Sequence, residues 1–243
     1  DLVEDFNDLF GMNAAGTDAK MRNTKESILE AQFTPGAGNW CSWMFGRDLV
    51  NWNTNFTWAK WVTPSRDLIN AFKKEGDEVR FKESVVYYDC NWSNYYPSDN
   101  YPFMYKCRSA NSSIIKYRYA DVLLLKAEAL IMQDTPDLDG AADIIDEVRE
   151  RAKLGALSAS TRASKEAMLN ALLKERRLEL AFEGQRWFDL VRLDKVEEVM
   201  NAVYAKDSGR KAQVYAFDKT SYRLPIPQSV IDANDKIHQN PGY

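Results

Sequence analysis

The chain is 243 residues long, 45% hydrophobic, with a net charge of −4 and a pI near 5.3. That length suits one large or two modest domains around a real core, and the acidic balance argues against nucleic-acid binding, which needs a basic face. No uninterrupted apolar run approaches the ~18 residues that a membrane span would need.

Leu2, Val3, Phe6, Leu9 and Phe10 recur at helical spacing. The chain therefore opens as an amphipathic helix already under way, reads as a piece of something longer, and does not look like a signal peptide. Ile28, Leu29, Ala31 and Phe33 predict a strand. Thr63-Pro64 predicts a helix start, with threonine as cap and proline in the first turn, continuing through Leu68, Ile69 and Phe72. The β-branched and aromatic run from Ser84 to Tyr88 predicts a second strand.

Past a compositional boundary near 112/113 the chain turns charged and helical. Tyr119 to Leu130 is rich in alanine and leucine and must stop before Pro136. Asp139 is a candidate cap for the next helix, which runs through Ile144, Ile145 and Val148 to Arg151 and Lys153, with Gly155 just past its end. Two helices and a short turn over about 35 residues have the length of one tetratricopeptide-type repeat, although any antiparallel pair looks similar. A third helix is expected from about Ser164 to Glu183, ended or kinked by Gly184. Trp187 to Val203 continues helically, and the tail from Tyr222 is extended and proline-punctuated. The fold class that follows is mainly α: a tetratricopeptide-like helix pair and packed helices, with long aromatic loops and a few short β-strands. Two regions are expected, 1–112 loop-rich and aromatic, 113–243 helical and packed with it as one unit.

The third helix carries unusual chemistry. Leu169, Leu173, Arg176, Leu180, Glu183 and Trp187 alternate at spacings of four and three, which places an arginine and a glutamate on the stripe that should be buried. Glu179 and Glu183, one turn apart, have the closeness of a retaining glycosidase's acid and nucleophile. A general acid needs a raised pKa, however, and the neighbouring arginines hold both carboxylates ionised. Arg176, Glu179, Glu183 and Arg186 are accordingly expected to form a structural ion network that fixes helix packing, with Glu175, Arg177, Asp189 and Arg192 extending the set. Its net energetic worth is limited by desolvation.

Metal and nucleophile motifs fail. Cys41, Cys90 and Cys107 have no CxxC or histidine spacing, and His238 is the only histidine, so no ordinary zinc site is available. One disulfide or three free thiols both fit. Asp134, Asp137 and Asp139 resemble calcium ligands, but Pro136 and a missing glutamate spoil an EF-hand and leave a helix-capping turn. No GxSxG, Walker or GxGxxG pattern occurs. No catalytic residue, metal or cofactor is predicted.

Arg118-Tyr119-Ala120-Asp121-Val122-Leu123-Leu124, Ala127-Glu128-Ala129-Leu130, Glu147 to Ala152, the block Glu175 to Gly184 followed by Arg186 to Arg192, and the ending Leu224-Pro225-Ile226-Pro227-Gln228 with Gln239-Asn240-Pro241-Gly242-Tyr243 stand in the order and spacing of one family. By these ordered blocks the chain resembles the carboxy-terminal half of the SusD/RagB group of outer-membrane nutrient-binding lipoproteins. Pro64 to Phe72, before Gly76-Asp77, resembles a weaker helix of the same family. The resemblance implies a helical scaffold of tetratricopeptide-like pairs with loops that carry the ligand site. It also implies anchoring at the cell surface of the outer membrane through an amino-terminal lipidated cysteine absent from this chain, a SusC-like TonB-dependent transporter as partner, and presentation of glycans without catalysis.

The aromatic residues add their own case for sugar. Trp40, Trp43, Trp52, Trp58, Trp61 and Trp92, with Tyr87, Tyr88, Tyr95, Tyr96, Tyr101 and Tyr105, lie in one stretch, and Asn91 to Tyr101 contains no aliphatic residue. Aromatic faces suit the C–H groups of a pyranose, and Asn, Asp and Ser suit its hydroxyls. Trp40, Trp43, Trp52, Asn91, Trp92, Tyr95, Tyr96 and Tyr101 are the candidate glycan-binding residues, the Asn91–Tyr101 rings being expected at the surface. The bland alternative is that such rings pack under their own loops, which is the expectation for Trp58, Trp61 and Trp187. A different class of function, a helical-repeat scaffold that binds a protein or peptide, also fits.

Overall fold

The computed structural model describes residues 1–34, 38, 63–90, 93–207 and 216–243. Trp40, Cys41, Trp43, Trp52, Trp58, Trp61, Asn91 and Trp92 lie outside the described residues. The chain forms two compact units, Asp1–Gly184 and Gln185–Tyr243.

The first unit is built on a helix pair, α4 (Tyr119–Met132) and α5 (Leu138–Arg151), against which α7 (Lys165–Glu179) packs. Ala127, Ala141 and Ala142 are fully buried between them, short side chains that let the helices approach closely. Leu124, Ile131, Ile145, Val148, Met168 and Leu172 fill the remaining space. Burying each such side chain contributes about 1.5–3 kcal/mol, less the entropy of ordering it. Asp137, not Asp139, caps α5, its carboxylate accepting from the Gly140 amide at 2.9 Å. The cap falls two residues early because the turn after Pro136 brings the Asp137 side chain, with non-helical backbone, over the first exposed amides.

Two other starts also move. The 63–72 helix begins at Arg66 (α2, Arg66–Glu75), with Ser65 as its cap, and stops at Gly76, whose positive φ closes the last carbonyls. Asp77 then caps α3 (Glu78–Ser84). The opening helix is reduced to α1 (Asn7–Phe10), yet Val3, Phe6, Leu9 and Phe10 are buried together as their spacing required. The remaining short helix of this unit is α6 (Ala159–Arg162).

Two antiparallel ribbons complete the unit. β1 (Ser27–Ala31) pairs with β4 (Ile114–Arg118), so the compositional boundary at 112/113 is crossed by a strand pair. β2 (Val85–Tyr88) pairs with β3 (Tyr101–Met104) in register Val85 to Met104 and Tyr88 to Tyr101.

Ser164 caps α7 as expected for a start there, but the helix ends at Glu179, four residues short of Glu183. Phe182 and Gly184 both take positive φ, so Leu180–Glu183 is a turn. The expected stripe is buried at Leu173, Arg176 and Leu180, and it widens to take in Met168, Leu172, Glu175 and Glu179. The charges on it are real.

In the second unit, α8 (Arg186–Arg192) and α9 (Val196–Lys206) replace the single helix expected over 187–203, separated by Asp194 at positive φ. Trp187 packs as expected, its ring 6.3 Å from Phe217, which also meets Tyr204. A 3-10 turn (Lys219–Tyr222) and α10 (Gln228–Asp232) precede an extended end. There the Gln239 amide brackets Ile226, accepting from its N–H and donating to its carbonyl.

Candidate functional site

The connection between β2 and β3 folds over a small core of its own. Cys90, Tyr101 and Phe103 are buried, and the Cys90 amide donates to the Ser98 carbonyl at 2.7 Å to close the loop. Tyr101 is only 3% exposed, with its hydroxyl 3.1 Å from Ser93 Oγ and 3.2 Å from Thr63 Oγ1. The expectation of an exposed ring is therefore corrected at Tyr101. A segment without aliphatic residues can still build a core, because aromatic edges and faces pack against one another: Tyr96 to Tyr101 at 5.6 Å, and Tyr101 to Phe103 at 5.3 Å. The Cys90 thiol is free.

Tyr95 and Tyr96 are half-buried at the rim of this core, perpendicular to each other at 4.9 Å. Tyr96 donates its hydroxyl proton to the Pro64 carbonyl at 2.7 Å. Ser65 starts α2 immediately beside that carbonyl, which sets Arg66 at the helix entrance. Its guanidinium lies 4.0 Å from the Tyr95 ring centre and 4.5 Å from that of Tyr96, and it donates to the Tyr95 carbonyl. An open groove of about 490 Å³ results, lined by Arg66, Ser93, Asn94, Tyr95, Tyr96, Pro97 and Ser98. Of the candidate glycan residues, the structure brings Tyr95 and Tyr96 together on this groove. Arg66 and Ser98 had no signal of their own in the sequence.

The ion network has a different membership from the expected one. Glu179, fully buried, is approached by Arg80 at 3.0 Å, by Arg118 at 2.5 Å and by Arg151. Glu183 is bound by Arg118 at 2.7 Å and Lys106 at 2.6 Å. Glu26 joins Arg118 to Arg151, and Asp77 with Glu175 completes the surroundings of Arg80. Arg176 is a correction: it is buried on α7 but turns to Asp121, 2.8 Å away on α4. Arg186 opens α8 in the second unit. Arg80, Arg118, Arg151, Lys106 and Glu26 escaped sequence reasoning because, the local Arg80–Asp77 pair apart, these residues lie 28 to 125 positions from their ion-pair partners, with no helical period to reveal them.

Burial by itself would raise the pKa of Glu179, but Arg151, Arg118, Arg80 and Lys106 outweigh it and hold the carboxyl well below the usual range. Glu183 is lowered in the same way, against burial, by Arg118 and Lys106. Neither can hold a proton to donate near neutral pH. Lys106 is pushed down to about 8, first by burial and then by Arg118, despite Glu183. It stands in the wall of a cavity of about 410 Å³ shared with Phe10, Met104, Ile115 and Phe182. Among the described residues no group of three His, Cys, Asp or Glu side chains is placed to hold a metal ion, and no helix is long and apolar enough to cross a membrane.

Fold and site define a mainly helical scaffold, locked by a buried ion network, that carries a polar and aromatic groove. The sequence model of the SusD family matches residues 100–243, and the chain belongs to that family. SusD-like protein P2 of Formosa agariphila is 33% identical over 142 residues, 56% of this chain and 27% of that protein. SusD-like protein P38 of the same organism is 40% identical over 99 residues, 38% of this chain and 19% of that protein. A SusD superfamily protein from Parabacteroides distasonis superposes with a TM-score of 0.72 at 24% identity, covering 100% of this chain and 54% of that one. Surface glycan-binding protein A from Bacteroides thetaiotaomicron, in complex with laminarihexaose, superposes with a TM-score of 0.70 at 20% identity, covering 99% of this chain and 56% of that one. The chain thus spans about half the length of these solved structures.

Proposed function

We propose that the chain is part of a non-catalytic glycan-binding protein displayed on the outer membrane, lipid-anchored in its full-length form, which hands oligosaccharides to a SusC-like TonB-dependent transporter. The observation that carries this reading is the groove of Tyr95, Tyr96, Ser93 and Asn94 on a SusD-family frame. Rings at its rim offer C–H contacts, and small polar side chains offer hydroxyl recognition. The laminarihexaose complex of the related surface glycan-binding protein supports the same ligand class. Within this proposal region 1–112 faces the ligand, with Trp40, Trp43, Trp52, Asn91 and Trp92 as further contributors, and region 113–243 is the frame packed with it. The lowered pKa values of Glu179 and Glu183 support the absence of hydrolysis.

Affinity electrophoresis against a panel of polysaccharides tests the reading. The chain should be retarded by at least one glycan, Tyr96→Ala should weaken that retardation, and no reducing ends should appear on incubation. Retardation by none of the panel, or release of reducing ends that Glu179→Gln abolishes, would overturn it. A second reading, a scaffold that docks a protein, is favoured by one feature: Val122, Leu125 and Met132 are 45%, 42% and 50% exposed along one face of α4. Pull-down with a SusC-like transporter, before and after Leu125→Glu, measures that contact.

A further inference from the structure

The two rings of the groove do not present bare faces. Arg66 lies against both, and its donation to the Tyr95 carbonyl fixes the plane of the guanidinium a second time. Stacking and a backbone hydrogen bond together remove most of the rotamer freedom that a long basic side chain would lose on binding. Among the described residues that line the groove, Arg66 is the only charged one, accompanied by Ser93, Asn94, Ser98 and the two tyrosines. A site for a neutral sugar needs rings and hydroxyl partners. A fixed guanidinium adds a planar, permanently cationic fork, which matches a carboxylate in shape as well as in charge.

Resting on the glycan-binding reading above, we propose that this groove selects acidic glycans: a uronic-acid residue sits between Asn94 and the tyrosine rim, with its C6 carboxylate on Arg66. Ser93 and Ser98 then serve the ring hydroxyls. Neutral glycans of similar size lack the charged contact and bind more weakly.

The test is isothermal titration of the 243-residue chain with uronate oligosaccharides (trigalacturonate, triguluronate and triglucuronate), with methyl-esterified trigalacturonate, and with laminarihexaose. The ester keeps the sugar and removes the charge. At least one uronate should bind, about tenfold or more tighter than the uncharged ligands, as expected for a charge-assisted contact. That advantage should shrink as salt rises from low to high concentration, because the groove is open and its charges are screened. Arg66→Gln should abolish the advantage, so that the uronates bind no tighter than the neutral ligands do to the same variant. Since Arg66 also steadies the loop, Asn94→Asp provides an independent variant: the side chain is exposed, the substitution is isosteric, and a carboxylate there should weaken uronate binding more than neutral binding. Neutral ligand bound as tightly as every uronate, or uronate binding untouched by both variants, overturns acidic selectivity and leaves glycan binding standing. Binding of no ligand in this set or in the polysaccharide panel overturns both.

Discussion

Glu179→Gln is the most informative single change in the scaffold, because the substitution keeps the shape and removes only the charge. Glu179 is fully buried and takes ion pairs from Arg80, Arg118 and Arg151, two of them from elements far away in sequence. Glutamine would take one carboxylate partner from each of Arg80, Arg118 and Arg151 at once and leave their guanidiniums under-compensated in a dry interior. Breaking a buried pair in this way costs about 3–5 kcal/mol. For a unit of this size that is a fall in Tm of roughly 6–20 °C. The matched control is Glu198→Gln, which breaks the Lys195–Glu198 pair where Glu198 is 68% exposed, and should change stability by no more than about 0.5 kcal/mol. Thermal and urea unfolding followed by circular dichroism would measure both variants, at low salt and at about 0.5 M salt, where buried pairs are screened little. A Glu179→Gln protein that melts within error of the parent, or one whose loss vanishes in salt, would refute the buried-network account.

Tyr101→Ala should behave as a core truncation, lowering stability by about 3–5 kcal/mol in urea titration, whereas a surface ring would leave it nearly unchanged. The lowered pKa of Glu179 makes its contribution present above its ordinary value near 4.5 and lost as pH falls through the folded value; acid titration should therefore destabilise the parent progressively below about pH 5, and Glu179→Gln less so. Lys106 has the opposite slope: the folded chain releases its proton near 8 and the unfolded chain near 10.5, so the unfolded state binds more protons in between and stability relative to Lys106→Met should rise from pH 8 to pH 10. A flat or falling difference over that range would contradict it. Gly184→Ala, at a φ of +84, should cost about 1 kcal/mol in the same unfolding assay through backbone strain alone, since open space surrounds the position.

Local chemistry made much of the frame legible. Alanine and leucine in 119–130, the breaker at Pro136 and the cap at Ser164 act within one or two helical turns, so the helix pair, its partner α7 and the two strands 27–31 and 85–88 could be read before any contact was known. The ordered blocks of 118–192 and 224–243 likewise carried the family. Where the third helix stops was not local. Its periodicity runs on past Glu179, but the Glu179 carbonyl accepts from Lys106 and Arg118, 73 and 61 residues away, and the chain turns there instead of completing another helical bond. The members of the ion network were hidden for the same reason: a buried carboxylate declares that it needs cations, and only the tertiary structure decides which ones reach it. Tyr95, Tyr96 and Tyr101 show the limit most plainly. Composition marked all three as rings in a polar loop, but the pairing of β3 with β2 turned Tyr101 inward, while Arg66, nearly thirty residues upstream at a helix entrance, came to cover the other two. Residue type sets what a side chain can bind; which of its faces is left to bind anything is settled by the packing of residues distant in sequence.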